Sequence, residues 1–406
     1  MYESIYAVVE FGNFSTKFLV ARKQDSRIDC LYKTIEKNVF LKDNKIVNPL
    51  SVGNYLTKKQ KEVKKLLKID LTKIVFVYPV KDDLLIKEVN ETIFINDKLN
   101  YYYINLILQK YNNKIENGKI CLYMKTKNYL VDKLFSYKIA PIGKIVGELT
   151  IKLKLFFVDV DFYSKIQEAL TVTNLKLLNF CLSFVSLSNE ICYSNQKTLV
   201  IDTSFDFTNM YLYNNKDLVD YCTIEEKASN INKDLKYFLN LDDNSIENLK
   251  LKYGNLNFNS NESESFDLFL KPTVINFQGK ELMTVEELNK IILARYEEMF
   301  TNIFSKYQIY FQEHEVKNII LVGGITKILN FNTFIKNTFE NDEVAISVYK
   351  SPYIGINDNL YCKLIGALNY SDKLNKVKKT SDYSIKKFTL SRIFDMAKWK
   401  KILKRT

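Results

Sequence analysis

Proline and glycine are scarce in this chain, 5 and 11 among 406 residues, so each place where a glycine falls singles out its backbone. Histidine is scarcer still. His314, in the stretch QEHEV, stands alone, so a Ser/His/Asp triad or a histidine-rich metal site would have to be built around that one residue. The six cysteines (Cys30, Cys121, Cys181, Cys192, Cys222, Cys362) are scattered singly with no CxxC pair. That is the pattern of buried small hydrophobes in a reduced cytosolic protein, not of a disulfide framework. No apolar run approaches the ~18 residues of a membrane span. The residues from Met1 to Phe11 lack a basic stretch leading into an apolar core, so neither a secreted nor an integral membrane protein is expected.

What is present is a globular composition, 47% hydrophobic, in a chain long enough for two to four subdomains and more than one apolar core. Lys and Arg number 59 against 47 Asp and Glu, a formal net charge of +12, which favours an acidic partner: nucleic acid, an anionic membrane or an acidic peptide. Part of that excess belongs to a general bias toward Lys, Asn, Ile and Tyr.

The opening YAVVEFGNFSTKFLVAR predicts a hairpin, with strands over Tyr6 to Glu10 and Lys17 to Ala21 around a turn at Gly12. The same pattern returns about 190 residues later, where Leu199 to Asp202 form a strand ending in a carboxylate and Asn209 to Tyr213 the return strand. The repetition predicts a duplicated α/β fold. A strand is expected over Lys73 to Pro79, short alternating segments and one helix (Tyr101 to Tyr111) over 81–160, and a helix carrying Ile166, Leu170 and Val172. Thr284 with Glu287 three residues on forms a capping box opening the longest helix, with Leu288, Ile291, Ile292, Arg295 and Met299 at helical spacing. A buried strand, Ile319 to Val322, then runs into Gly323 and Gly324, the one Gly-Gly pair, and a helix is expected straight after it. Such a junction lets backbone amides approach a phosphate closely, although a plain strand-to-helix turn has the same appearance.

The order hairpin, hairpin, strand with Gly-Gly resembles the actin, Hsp70 and sugar-kinase superfamily, in which two hairpins grip the phosphates of ATP and the late Gly-Gly passes under the adenosine. Within it the chain resembles FtsA, the family that tethers division filaments to the membrane, on four local matches. Pro141, Gly143, Gly147 and Leu149 are similar to the stretch that closes the family's extra subdomain. Glu247, Lys250 and the following glycine are similar to its adenosine-side motif. The helix ELNKIILARYEEMF resembles the one whose arginine, here Arg295, holds the acidic tail peptide of FtsZ. The stretch NLYCKLIGALNY, with Gly366, is similar to the closing helix of the core. The resemblance implies subdomain 1A over 1–80 and 161–192, an inserted subdomain 1C over 81–160, 2A over 193–226 and 305–370, and 2B over 227–304. A flexible linker over 371–384 and an amphipathic membrane-binding helix over 385–406 follow.

ATP with Mg²⁺ is the cofactor pair that the resemblance implies, at Glu10, Gly12, Asn13, Lys17, Asp202, Thr203, Ser204, Glu247, Lys250, Gly323 and Gly324. The first phosphate loop departs from the family by having Glu10 for aspartate. The second reads Asp202, Thr203, Ser204, Phe205, Asp206, Phe207, Thr208 where further glycines are expected, and Lys227 and Ala228 stand for a Gly-Gly. Side chains then occupy places where backbone amides would meet phosphate oxygens. Binding is expected to be weak or lost, with at most a weak ATPase activity and no catalytic or metal-ligating residue assigned.

Near the C-terminus, Ile393, Met396, Trp399, Ile402 and Leu403 fall on one half of a helical projection. Lys398, Lys401, Lys404 and Arg405 fall on the other, with Phe394 on the wrong side. A short basic helix with Trp at its apolar edge suits the headgroup layer of an anionic leaflet. The function expected is a division scaffold that polymerises in actin-like fashion at the cytoplasmic face of the membrane and binds the FtsZ C-terminal peptide. A cell-shape actin like MreB and a sugar or acetate kinase of the superfamily are the alternatives. No nucleic-acid recognition motif is present.

Overall fold

The computed structural model describes residues 3–375 except 82, 193–195, 258–272, 278 and 341–342. The first hairpin forms as the alternation of β-branched and aromatic residues dictates: β1 (Glu3–Phe11) pairs antiparallel with β2 (Ser15–Gln24), and β2 with β3 (Arg27–Lys37). A short hairpin, β4 (Leu41–Lys42) and β5 (Lys45–Ile46), leads to helix α1 (Pro49–Leu67). Asn48 caps α1 by accepting from the Leu50 and Ser51 amides, and Pro49 occupies the position where no donor is needed. Strand β6 (Lys73–Tyr78) then adds in parallel to the free edge of β1.

Residues 85 to 159 form a separate antiparallel unit. It comprises β7 (Leu85–Lys98), helix α2 (Tyr101–Gln109), β8 (Ile115–Glu116), β9 (Lys119–Val131), β10 (Phe135–Tyr137) and β11 (Ile145–Asp159). Its sheet runs β10-β9-β11-β7, and it has its own apolar cluster around Leu149, Ile151 and Leu153. Gly143 takes a positive φ in the turn that admits β11, its amide donating to the Leu99 carbonyl at 2.8 Å. Helix α3 (Val160–Thr171) returns the chain to the first sheet, where β12 (Lys176–Leu182) pairs in parallel with β6. Ile166 and Leu170 are buried as predicted, whereas Val172, counted with them, caps the helix and is exposed.

After helix α4 (Ser183–Glu190) the pattern repeats. Strands β13 (Lys197–Thr203), β14 (Thr208–Asn214) and β15 (Asp217–Ile224) form an antiparallel meander. Helices α5 (Ala228–Leu239) and α6 (Asp243–Tyr253), the hairpin β16 (Val274–Phe277) and β17 (Lys280–Thr284), and helix α7 (Val285–Phe311) follow. Both bonds of the Thr284–Glu287 capping box are made. Strand β18 (Asn318–Val322) then adds in parallel to β13, and, after helix α8 (Phe331–Phe339), β19 (Ala345–Val348) adds to β18. The two sheets, β3-β2-β1-β6-β12 and β15-β14-β13-β18-β19, have the same topology. Their first strands, buried on both faces, carry the near-continuous apolar runs that a covered sheet requires.

Two expectations are corrected here. No α-helix starts at the Gly-Gly pair: Gly324–Lys327 is a single 3-10 turn, and α8 begins only at Phe331. Nor does a linker begin at 371, because the helix over 362–375 continues through it. Ser371 and Asp372 are buried despite their polarity, the Tyr6 hydroxyl donating to Asp372 at 2.9 Å. The amphipathic segment 385–406, with Ile393, Met396, Lys398, Trp399, Lys401, Ile402, Leu403 and Lys404, lies outside the described residues.

Glu190, at the end of α4, ties this last helix to the second sheet. It accepts from the Tyr349 hydroxyl at 2.7 Å and from the Asn369 amide at 2.9 Å. Burial lifts its carboxyl to about 7, against the pull of those two hydrogen bonds. A carboxyl raised on folding contributes stability that is full below its ordinary pKa of 4.5 and is lost as pH rises through about 7. The wild type should therefore lose about 2 kcal/mol across that window, after allowing for its partial exposure. In Glu190→Gln this component should be absent, as urea unfolding at a series of pH values would show.

Candidate functional site

The duplication places a carboxylate at the same point of each half, at the end of the first strand of each meander. Glu10 lies beside the turn at Gly12, and Asp202 beside the turn of the second hairpin. Both are 2% exposed. Antiparallel register sets Lys17 directly opposite Glu10, and its ammonium donates to Glu10 Oε2 at 2.8 Å. A third element supplies what sequence reasoning missed. Lys363, in the first turn of the helix over 362–375, reaches between the halves, 2.8 Å from Glu10 Oε1 and 3.0 Å from Asp202 Oδ2. The one available signal was a lone lysine inside the apolar stretch YCKLIGAL.

Two carboxylates and two ammonium groups thus form a neutral, nearly dry cluster. Burial alone would raise the Glu10 carboxyl, but Lys17 and Lys363 outweigh it and hold it at about 2. Burial would likewise lower the Lys363 ammonium, and Asp202 and Glu10 raise it instead. Such a cluster is stable only when complete, since removing one partner strands a buried charge.

Above the cluster the two hairpin loops meet. The rings of Phe14 and Phe205 stack with centroids 4.9 Å apart. The Asn13 side chain donates to Asn44 Oδ1 at 2.7 Å and also to Asp206. Loop amides are turned inward: Gly12 donates to the Ser15 carbonyl at 3.1 Å and Ser204 to that of Phe207 at 2.9 Å. The first amides of α5, at Ala228 and Ser229, donate to the carbonyls of Ser204 and Phe205. Four of the amides around these loops, those of Gly12, Ser204, Ala228 and Ser229, are therefore engaged by the chain itself.

Behind the loops lies a cavity of about 510 Å³, within the range of small-molecule sites. Glu10, Gly12, Asn13, Lys17, Asp202, Thr203, Ser204, Glu247, Lys250, Gly323 and Gly324 all line it, so the structure brings these predicted residues together. On α6, the buried Lys250 ammonium contacts Glu247 Oε1 and donates to Asn232 Oδ1 at 2.8 Å. Gly323 has φ of 112°, and a Cβ there would lie 2.1 Å from the Thr203 carbonyl oxygen. The glycine is demanded by this close contact between β13 and β18, whatever occupies the cavity. Arg295 lies elsewhere, on α7, where its guanidinium is paired with Asp234 of α5 and with Glu298.

A magnesium ion does not fit the floor of this cleft. The carboxylates available to it there are Glu10 and Asp202, and every one of their oxygens is already in contact with the ammonium of Lys17 or Lys363. The cavity next to the cluster does have the size and mixed lining that a nucleoside needs.

No family model matches the chain. Among curated proteins it is 22% identical over 190 residues to the cell division protein FtsA of Helicobacter pylori. That match covers 46% of this chain and 38% of the relative, well under half of the relative's length. Among solved structures it is similar to a chain of the PilM-PilN type IV pilus biogenesis complex, with a TM-score of 0.55 at 12% identity, covering 91% of this chain and 98% of that one. It is also similar to MreB5 of Spiroplasma citri bound to ADP, with a TM-score of 0.53 at 11% identity, covering 92% and 98%. With the duplicated sheets and the cleft between them, these likenesses make the chain a protein of the actin-like ATPase fold that resembles FtsA.

Proposed function

We propose that the chain is a membrane-attached scaffold of the bacterial division machinery. Its core self-associates in actin-like fashion, the segment 385–406 attaches it to the anionic cytoplasmic leaflet at the division site, and Arg295 takes the acidic C-terminal peptide of FtsZ. That peptide would bind by exchanging with Asp234 and Glu298, which already pair with Arg295.

The observation that carries this reading is the self-closed cleft. Lys363 bridges Glu10 and Asp202, and Phe14 stacks on Phe205, so the two halves are joined by the chain's own side chains. Closure of that kind works against a hydrolytic cycle. The match to FtsA and the fold shared with MreB5 support the same direction. ATP binds weakly at most, and turnover is slow or absent.

On anionic vesicles the purified chain should form sedimenting assemblies to the same extent in EDTA, with ADP, or with ATP and Mg²⁺, and should release phosphate at the background rate. Steady phosphate release that disappears in Asp202→Ala, or assembly that requires ATP, would refute the scaffold reading in this form.

A further inference from the structure

Lys363 is fixed where it stands. It belongs to a helix whose neighbouring residues Cys362, Leu364 and Ile365 are buried. One turn on, Gly366 lies so close to α4 that a Cβ would come within 1.9 Å of the Ser186 carbonyl oxygen. The backbone that carries this side chain is therefore held beside the cleft. Its ammonium donates to Glu10 Oε1 at 2.8 Å and to both Asp202 oxygens, Oδ2 at 3.0 Å and Oδ1 at 3.4 Å. A divalent ion bound to the same oxygens at ~2.1 Å would overlap it. The ion would also add two positive charges beside Lys363 and Lys17 in a poorly solvated site, where like charges repel strongly. Among the described residues no group of three or more His, Cys, Asp or Glu is placed to hold a metal elsewhere.

We propose that Lys363 is the resident cation of the cleft, taking the place a divalent metal would take between Glu10 and Asp202, so that the two halves are held together without magnesium. One half contributes Glu10, the other Asp202, and the helix over 362–375 supplies the charge that joins them. The inference stands on the cleft alone, and it survives or fails independently of vesicle and FtsZ-peptide binding.

The test uses the full chain, melted in EDTA and in millimolar Mg²⁺, with and without ADP, together with electron paramagnetic resonance of added Mn²⁺. The wild type should melt at the same temperature in EDTA and in Mg²⁺, whether or not ADP is present, and bind no Mn²⁺. Lys363→Met, which keeps the volume and removes the charge, should melt roughly 5 °C lower in EDTA. Mg²⁺ should raise it, because the two carboxylates are then free to take the ion. A Lys363→Met protein that melts like the wild type, or that ignores Mg²⁺, overturns the proposal. If that variant does not fold, the wild type decides the matter. A melting temperature raised by Mg²⁺, or one bound Mn²⁺ that disappears in Asp202→Asn, overturns the proposal, and indifference to both ions upholds it.

Discussion

Gly366→Ala is expected to destabilise the fold by about 2–3 kcal/mol, although the same change in an exposed helix would stabilise it by about 1 kcal/mol. Overlap reverses the sign. The added methyl would stand 1.9 Å from the Ser186 carbonyl oxygen and 2.6 Å from its carbon, and these are backbone atoms of a buried helix, not the tip of a side chain that can swing aside. Either α4 or the helix over 362–375 must shift, and Leu364, Ile365 and Leu368, all fully buried, would shift with it. Lys363 lies on the same helix, so the displacement should also loosen its bridge to Glu10 and Asp202. Urea unfolding with an unchanged slope and a lower midpoint is the expected readout. A neutral or stabilised variant would mean that the two helices do not pack this closely. Gly323→Ala should behave similarly, since it combines a φ of 112° with a Cβ 2.1 Å from Thr203.

These glycines also mark how far the fold could be seen in the sequence. Strands β1, β2, β13 and β14 were legible because their apolar runs are continuous and end at short polar breaks. The capping box of α7 was legible because its hydrogen bonds are local. The stretch after Gly324 was not: ITKILNF has helical character, but a 3-10 turn stands there, and Gly323 answers to Thr203, a residue more than a hundred positions away. The same limit hid the centre of the cleft. Glu10 and Asp202 were placed by the resemblance of the two repeated hairpins to a known family, whereas Lys363 reaches them from a helix 161 residues beyond Asp202. Phe205 was visible as a departure from a glycine pattern, but only its stacking on Phe14 shows that the two rings fill the space between the loops. The continuation of the last helix past 370 was missed because its polar residues are satisfied from afar, Asp372 by Tyr6 and Asn369 by Lys23.

Removing residues 385–406 should abolish sedimentation with anionic vesicles while leaving the melting temperature of the core unchanged. The segment holds eight Lys and Arg against one Asp, seven of the twelve net positive charges of the chain. The basic excess is thus concentrated in it and is not spread over the core. At ~1 kcal/mol for each basic residue near an anionic surface, Lys398, Lys401, Lys404 and Arg405 alone supply enough to change partitioning by a factor of several hundred. Ile393, Met396, Trp399, Ile402 and Leu403 add apolar contact with the acyl boundary. Both contributions have separate signatures. Raising salt should weaken the attachment, because the Debye length falls from about 10 Å at 0.1 M to about 3 Å at 1 M. Trp399→Ala should weaken it at every salt concentration. A single short segment of this kind would bind reversibly, so stable attachment would depend on several copies acting together, which an assembled core would supply through effective concentration. A truncated chain that still sediments with anionic vesicles as the full chain does would remove the membrane role of the segment. A self-closed, actin-like core would then have to find its place in the cell through a protein partner alone.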